Sequence, residues 1–469
     1  METRPFSLLP SFPALVGAVA GACALAAGVL MAARVPLGVG FVLAVCYAVV
    51  VLIDLPVGIA LWVSLLFVER LQFTSIAPQA GALLIAVAWL GALRPEGSPV
   101  RAMLREHRML VTSFGLLLLW LSLSALWSSD PDRVLADLGY WTWAGGTLAV
   151  LVTAISRARD ARMVAAAFVA GAVISASIGF LDEAFGFLND PNQADTVLEE
   201  GRLGGGSGSP NDLAAGLVPA IAVAAGLAGT SRRIGLRLAI LSAMALLAVG
   251  LAATESRGGL IAACVVVVSG LVLAGKRRVY VVAALLVIVG VASAWFAASP
   301  QALERVTTVS EDRGAGREDL WKVAQREFAD HPLLGVGLNN FEVEAVNYVS
   351  QPGDLRYVEL IVDQPKHVHN AYLELLAETG PLGLLLYLTI IGSCLRAAWL
   401  AIGRFDRVGD DRLSGLSRAV VVGMLGSFTA SIFASNSIDL RNWALFALGP
   451  VMLSVARARA GGEDEAPTW

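Results

Sequence analysis

The chain has 469 residues, of which 57% are hydrophobic and only 15% charged, and its mean hydropathy of +0.70 lies far outside the usage of soluble domains. The net charge is −4, and the arginines stand in short clusters between apolar runs, which excludes a protein with the basic face that nucleic acid needs. What remains is an all-α polytopic membrane protein.

Apolar runs near the roughly 20 residues that span a bilayer predict helices at 13–33, 37–53, 55–69, 76–92, 109–128, 137–156, 163–181, 211–229, 234–252, 258–275, 279–298, 381–400, 415–435 and 441–456. The second and third are short enough to form one re-entrant hairpin, so roughly twelve to fourteen spans are expected. The first run is longer than a signal-peptide core and another follows at once, so it is read as a retained helix. Cys23, Cys46, Cys264 and Cys394 fall in or at the edge of apolar runs without metal-ligand spacing, and are read as small apolar residues. The tail 461–469, GGEDEAPTW, is expected to be disordered.

Basic residues in short loops set orientation. The clusters around Arg101 and Arg105, Arg157 to Arg162, Arg232 to Arg237, Lys276 to Arg278, and Arg404 to Arg412 all fall on one side of the predicted spans, together with both termini. That side is read as cytoplasmic. The larger segments 182–210 and 299–380 then lie outside.

Four stretches on the outer side could carry chemistry. In GRLGGGSGSPND, Ser209, Pro210 and Asp212 form a helix-start signature, the glycines before them read as a flexible loop, and Arg202 is a candidate anion contact. TESRGGL places Arg257 at the outer end of two adjoining spans, where a guanidinium suits bidentate phosphate oxygens; pairing with Glu255 or with lipid headgroups remains the alternative. In GAGREDLWKVAQREFADHPLLGVGLNNF, Glu318 and Asp319 suit a first helical turn and His331-Pro332 ends the pattern. Arg317 would then join a helix N-terminus as an anion site, unless it is only a solvated first-turn residue.

The fourth stretch is KHVHNAYLELLAETGPLGLLLYL, 366–388. Tyr372, Leu373, Leu376 and Ala377 mark one helical face, and Gly380-Pro381 breaks the helix before the membrane run. His369 sits at the start of that helix, where the dipole and free amides disfavour an imidazolium and leave a histidine able to accept a proton. A capping or interfacial histidine is the other reading. His367 and His369, with His331 on the same side, also raise a metal site, but no matching carboxylate or cysteine cluster accompanies them.

SPN before a span, SRGG between two spans, GREDLW followed by HPLLGVGLNNF, and HNAYLELLAETGPLG before a late span together resemble the O-antigen ligase/polymerase superfamily over roughly 201–400. The resemblance implies a GT-C-like, metal-independent and cofactor-free inverting glycosyltransferase. Its donor would be an undecaprenyl diphosphate-linked glycan and its acceptor a lipid or glycan, with membrane lipids around it. The site would face outward from a bacterial inner membrane. The family's essential histidine carries over to His369 and its arginines to Arg257, Arg317 and Arg202. The implied organisation is 1–200 as N-terminal membrane helices, 201–298 as membrane helices with the diphosphate contacts, 299–380 as the extracytoplasmic catalytic loop, 381–460 as C-terminal membrane helices, and 461–469 as a cytoplasmic tail. Ligase, polymerase and protein O-oligosaccharyltransferase share these motifs. A transporter would be expected to carry ionisable residues within its spans, which here are almost free of them.

Overall fold

A segment in lipid must satisfy every backbone N–H and C=O internally, which leaves long apolar runs the α-helix. The computed structural model describes residues 34–68, 77–93, 99–186, 202–274, 278–307, 311–349, 351, 355 and 367–460, with Cys23 and Ala26 besides. Among these there is no strand. The helices are α1 (Val35–Ile53), α2 (Leu55–Leu65), α3 (Ala77–Ala92), α4 (Pro99–Glu106), α5 (Arg108–Leu123), α6 (Pro131–Ala154), α7 (Ala158–Phe185), α8 (Pro210–Thr230), α9 (Ile234–Ala253), α10 (Arg257–Leu273), α11 (Arg278–Ala298), α12 (Pro300–Thr307), α13 (Glu311–Asp330), α14 (Phe341–Val349), α15 (Ala371–Arg407), α16 (Asp411–Ala430) and α17 (Leu440–Ala460). Apart from Cys23 and Ala26, the expected span 13–33 lies outside the described residues, as does the tail 461–469.

Six of the described helical segments are long and apolar enough to cross a membrane: Arg108–Leu126, Ala158–Phe185, Pro210–Thr230, Ile234–Ala253, Ala371–Arg407 and Asp411–Ala430. The chain is an all-α polytopic membrane protein. The expected span at 55–69 is corrected. Its helix α2 has 11 residues, and at a rise of 1.5 Å per residue it covers about half of a 30 Å hydrocarbon layer. Asp54 separates it from α1 by accepting a hydrogen bond from Val57 N, and its end is buried in protein, with Phe67 edge-on to Phe168 at 5.0 Å.

Helices in lipid pack through close approach rather than through a hydrophobic drive. A Cβ on Gly226 of α8 would lie 2.4 Å from Ala419 Cβ of α16, and one on Gly449 of α17 would lie 2.2 Å from the Cys394 carbonyl oxygen of α15. Trp141, Tyr387 and Trp443 fill the centre, in edge-to-face pairs with centroids 6.0–6.4 Å apart. By contrast, Leu238, Val272 and Leu286 face outward from α9, α10 and α11, as lipid-facing side chains do.

The break that Gly380-Pro381 predicts is present. Gly380 has φ 67° and ψ −175° inside α15, a region essentially reserved for glycine. Pro381 has no N–H to give the Ala377 carbonyl, so that oxygen would be orphaned. The HPLLGVGLNN turn supplies the missing donors: Val336 N donates to Ala377 O at 3.0 Å and Gly337 N to Glu378 O at 2.8 Å. The Trp120 indole donates to Thr379 O at 2.8 Å. The kink is thereby bonded to an extramembrane unit, in which Leu320, Val323 and Ala324 of α13 pack with Phe341, Ala345 and Tyr348 of α14, and with Val368 and Ala377.

Candidate functional site

Ser209 and Pro210 start α8 as expected, with the Ser209 hydroxyl accepting from Asp212 N. The glycine-rich loop before them is packed into the protein. Gly206 and Ser207 are buried, Gly206 N donates to Ser175 Oγ at 3.1 Å, and a Cβ on Gly206 would sit 2.7 Å from the Phe67 carbonyl oxygen. The glycines are needed for close approach of backbone to backbone. Asn211 then ties two motifs together, because its Oδ1 accepts from Arg202 Nη2 at 3.3 Å and from Ser256 Oγ at 2.8 Å. Arg202 Nε also donates to Thr254 O at 2.9 Å. Ser256 caps α10 by accepting from Gly259 N, and Arg257 is its first residue, half-buried.

The segment 431–441 completes the rim; the expected span 415–435 took in its first residues, but that helix ends at Ala430. A Cβ on Gly258 would lie 2.6 Å from Phe433 Cβ, so SRGG presses against this segment. Arg441, at the start of α17, donates through Nε and Nη2 to Asp439, with Nη2 to Oδ2 at 2.6 Å, and through Nη1 to Ser207 Oγ at 2.7 Å. Its guanidinium also lies 5.8 Å from the centroid of the Phe67 ring. The available signal was the polar run SNSIDLRN between the last two apolar spans.

His369 docks on the same segment. Its N–H donates to Ser435 Oγ at 3.0 Å, and its φ of 54° is left-handed, costing of order 1–2 kcal/mol for a non-glycine residue. Glu255 and Asn339 are the other described non-glycine residues with positive φ, so each of three motifs holds one. The expectation of free helix amides beside His369 is corrected. Asn370 caps the helix by accepting from Tyr372 N and Leu373 N, Ala371 N donates to the carbonyls of Ser431 and Ala434, and Glu374 N donates to Asn370 O. Every first-turn amide is already engaged, because the cap and the 431–441 segment close over the helix end.

Arg317 also differs from expectation. Helix α13 begins at Glu311, so Arg317 lies inside it and not at its N-terminus, and Asp319 is buried beside Lys322 rather than standing in a first turn. The glycines of GAGR suggested a boundary, but the helix runs through them. Arg317 nevertheless belongs to the neighbourhood of His369, since Trp321, one turn on, donates its indole N–H to Val368 O at 3.1 Å. SRGG, through Gly258, and His369 thus meet one segment, Arg202 is tied to SRGG through Thr254 and Asn211, and Arg317 lies one helical turn from the Trp321 that bonds Val368.

The other two histidines of the outer side, His331 and His367, make different contacts. His331 is exposed at the end of α13. His367 Nδ1 lies 3.1 Å from Glu374 and 3.5 Å from Glu342, and the hydrogen bond to Glu374 is the main cause that raises its pKa to about 9. Glu327, fully buried in α13, is raised to about 9 by burial first and by Glu344 second, and so is held neutral.

Residues 242–388 match the O-antigen ligase family. That stretch carries the likeness to the O-antigen ligase superfamily. The matched stretch contains Arg257, Arg317 and His369, whereas Arg202, Ser207 and the 431–441 segment lie outside it and meet it only in the folded chain. No curated protein matches the chain.

Proposed function

We propose that the protein is a glycosyltransferase that moves a glycan from undecaprenyl diphosphate to an acceptor hydroxyl at the outer face of a bacterial inner membrane. Lipid A core is the acceptor we favour, which makes it an O-antigen ligase. The observation that carries the proposal is that SRGG, which holds Arg257, and His369 both dock on the 431–441 segment at one rim of the bundle, with Arg202 bonded to the TESRGGL turn and Arg317 one helical turn from the Trp321 that bonds Val368. Charged groups at a membrane rim, not at mid-span, suit a reaction between a lipid-linked donor and an acceptor presented at the surface rather than transport.

The chemistry follows from the residue types. The acceptor oxygen attacks the anomeric carbon, the bond from that carbon to the diphosphate breaks, and the diphosphate leaves with the electron pair. Guanidinium groups held in place before the reaction stabilise the charge that develops there. Arg257 and Arg317, with Arg202 beside them, take that role. His369 accepts the hydroxyl proton as general base. Attack from the face opposite the diphosphate inverts the anomeric centre. The arginines supply the charge that a divalent ion would otherwise supply, so transfer should persist in excess chelator.

The test is donor binding and single-turnover transfer measured in parallel. His369→Ala should bind lipid-linked donor nearly normally and lose about 10²-fold or more in turnover. Arg257→Ala and Arg317→Ala should weaken donor binding as well, with lysine rescuing only in part because a point charge does not reproduce the planar fork. Near-normal turnover by folded His369→Ala protein would remove the histidine from the mechanism. Gene disruption separates the acceptors: carrier-linked polymer accumulates if a ligase is lost, single repeats if a polymerase is lost.

A further inference from the structure

We propose that a groove at the rim opposite His369 binds an anionic phospholipid. This inference does not depend on the glycosyltransferase reading. The membrane part of α15 begins at Pro381, and Trp399 lies eighteen residues further on, about 27 Å along the axis. That distance is close to the thickness of the hydrocarbon layer, so the last two turns of α15 stand at the level of the headgroups.

There a cavity of about 480 Å³ is lined by Trp399, Leu400, Gly403, Arg404, Arg407 and Arg418 among others. Leu400, Gly403, Arg404 and Arg407 recur at helical spacing and share one face of α15. Arg418 of α16 is occupied, pairing with Asp406 at 2.7 Å and donating to the Leu273 carbonyl at 2.9 Å. Arg404 and Arg407 have no side-chain partner among the described residues. Three guanidinium groups therefore face one carboxylate, and the groove is positively charged.

The remaining wall is apolar. Trp399 and Leu400 are 55% and 38% exposed, and an indole at this depth belongs to the interfacial belt. The floor is open at Gly403, where a Cβ would meet nothing within 4 Å. Basic side chains at headgroup level, an open floor and an apolar flank toward the hydrocarbon match the two parts of an anionic phospholipid. The phosphodiester would sit between Arg404 and Arg407 and the acyl chains would run past Trp399 and Leu400. A free anion has no use for the apolar flank.

The test is native mass spectrometry of the full-length protein released from detergent, titrated with phosphatidylglycerol and, separately, with phosphatidylcholine. Wild type should hold phosphatidylglycerol the more tightly. Replacing both Arg404 and Arg407 by glutamine should weaken it about 30-fold, each near-surface arginine contributing about 5-fold, with phosphatidylcholine unaffected. Gly403→Leu leaves every charge in place, favours the helix and fills the floor, and it should weaken phosphatidylglycerol binding as well. Equal retention of the two lipids would overturn the proposal. So would displacement by millimolar inorganic phosphate, which marks a soluble-anion site. Unaltered binding by Gly403→Leu would also overturn it, because it marks diffuse attraction to a charged surface.

Discussion

Arg441→Met is the substitution that best tests how the rim is assembled. Arg441 and Asp439 are 12% and 14% exposed, so removing the guanidinium leaves a carboxylate in a poorly solvated place, which costs about 3–5 kcal/mol. The lost hydrogen bond to Ser207 adds about 1 kcal/mol, and the contact over Phe67 about 0.5–1 kcal/mol. Some water reaches both groups, so a total near 4 kcal/mol is expected. Asp439→Asn alone should cost about 2–3 kcal/mol, because the arginine keeps a neutral acceptor. The double variant buries no net charge and should lose about 3 kcal/mol less than the sum of the singles. The assay is equilibrium unfolding in mixed micelles, followed by tryptophan fluorescence. Single-turnover transfer should fall with Arg441→Met, because the glycine-rich loop that carries Arg202 loses its tie to α17. Additive single-variant effects, or a loss below 1 kcal/mol for Arg441→Met, would show that the pair does not hold the two segments together.

Gly380→Ala should destabilise the fold by about 3 kcal/mol or more, since a Cβ would meet the Leu333 carbonyl oxygen at 2.3 Å in a backbone region that side chains avoid. Gly392→Ala, in open surroundings on the same helix, should be neutral or stabilising by up to about 1 kcal/mol; equal unfolding midpoints for the two variants would refute the strain argument. His367 is raised to about 9 by Glu374, so its stabilising contribution is full below its ordinary value near 6.5 and disappears as pH rises through about 9. The gap between wild type and His367→Gln in thermal midpoint should therefore close between pH 6.5 and 10, by a small amount because the side chain is 57% exposed; a gap independent of pH would contradict the pairing. Cysteines at exposed His331 and Asp411 should label from opposite sides of the membrane, the first from outside, and labelling of Asp411→Cys alone by impermeant reagent would invert the orientation.

Much of this protein follows from short-range physics that a linear reading captures. Apolar run length decides which segments lie in lipid, Ser209-Pro210 starts α8, and Gly380-Pro381 breaks α15, because each depends on residues within a turn or two of one another. The superfamily was legible for a similar reason, since its motifs are short and ordered along the chain. The same local reasoning misplaced Arg317 at a helix start, because glycine weakens a helix by only about 1 kcal/mol and tertiary packing overrides so small a preference. It also took the glycine-rich loop for a flexible one. That loop is packed against Ser175, Phe67 and Arg441, and Arg441 lies 234 residues from the serine it holds. Contacts across such distances leave no periodicity in the sequence. They exist only once the helices pack, and for that reason tertiary structure alone brought SRGG and His369 to the 431–441 segment and Arg202 to Thr254.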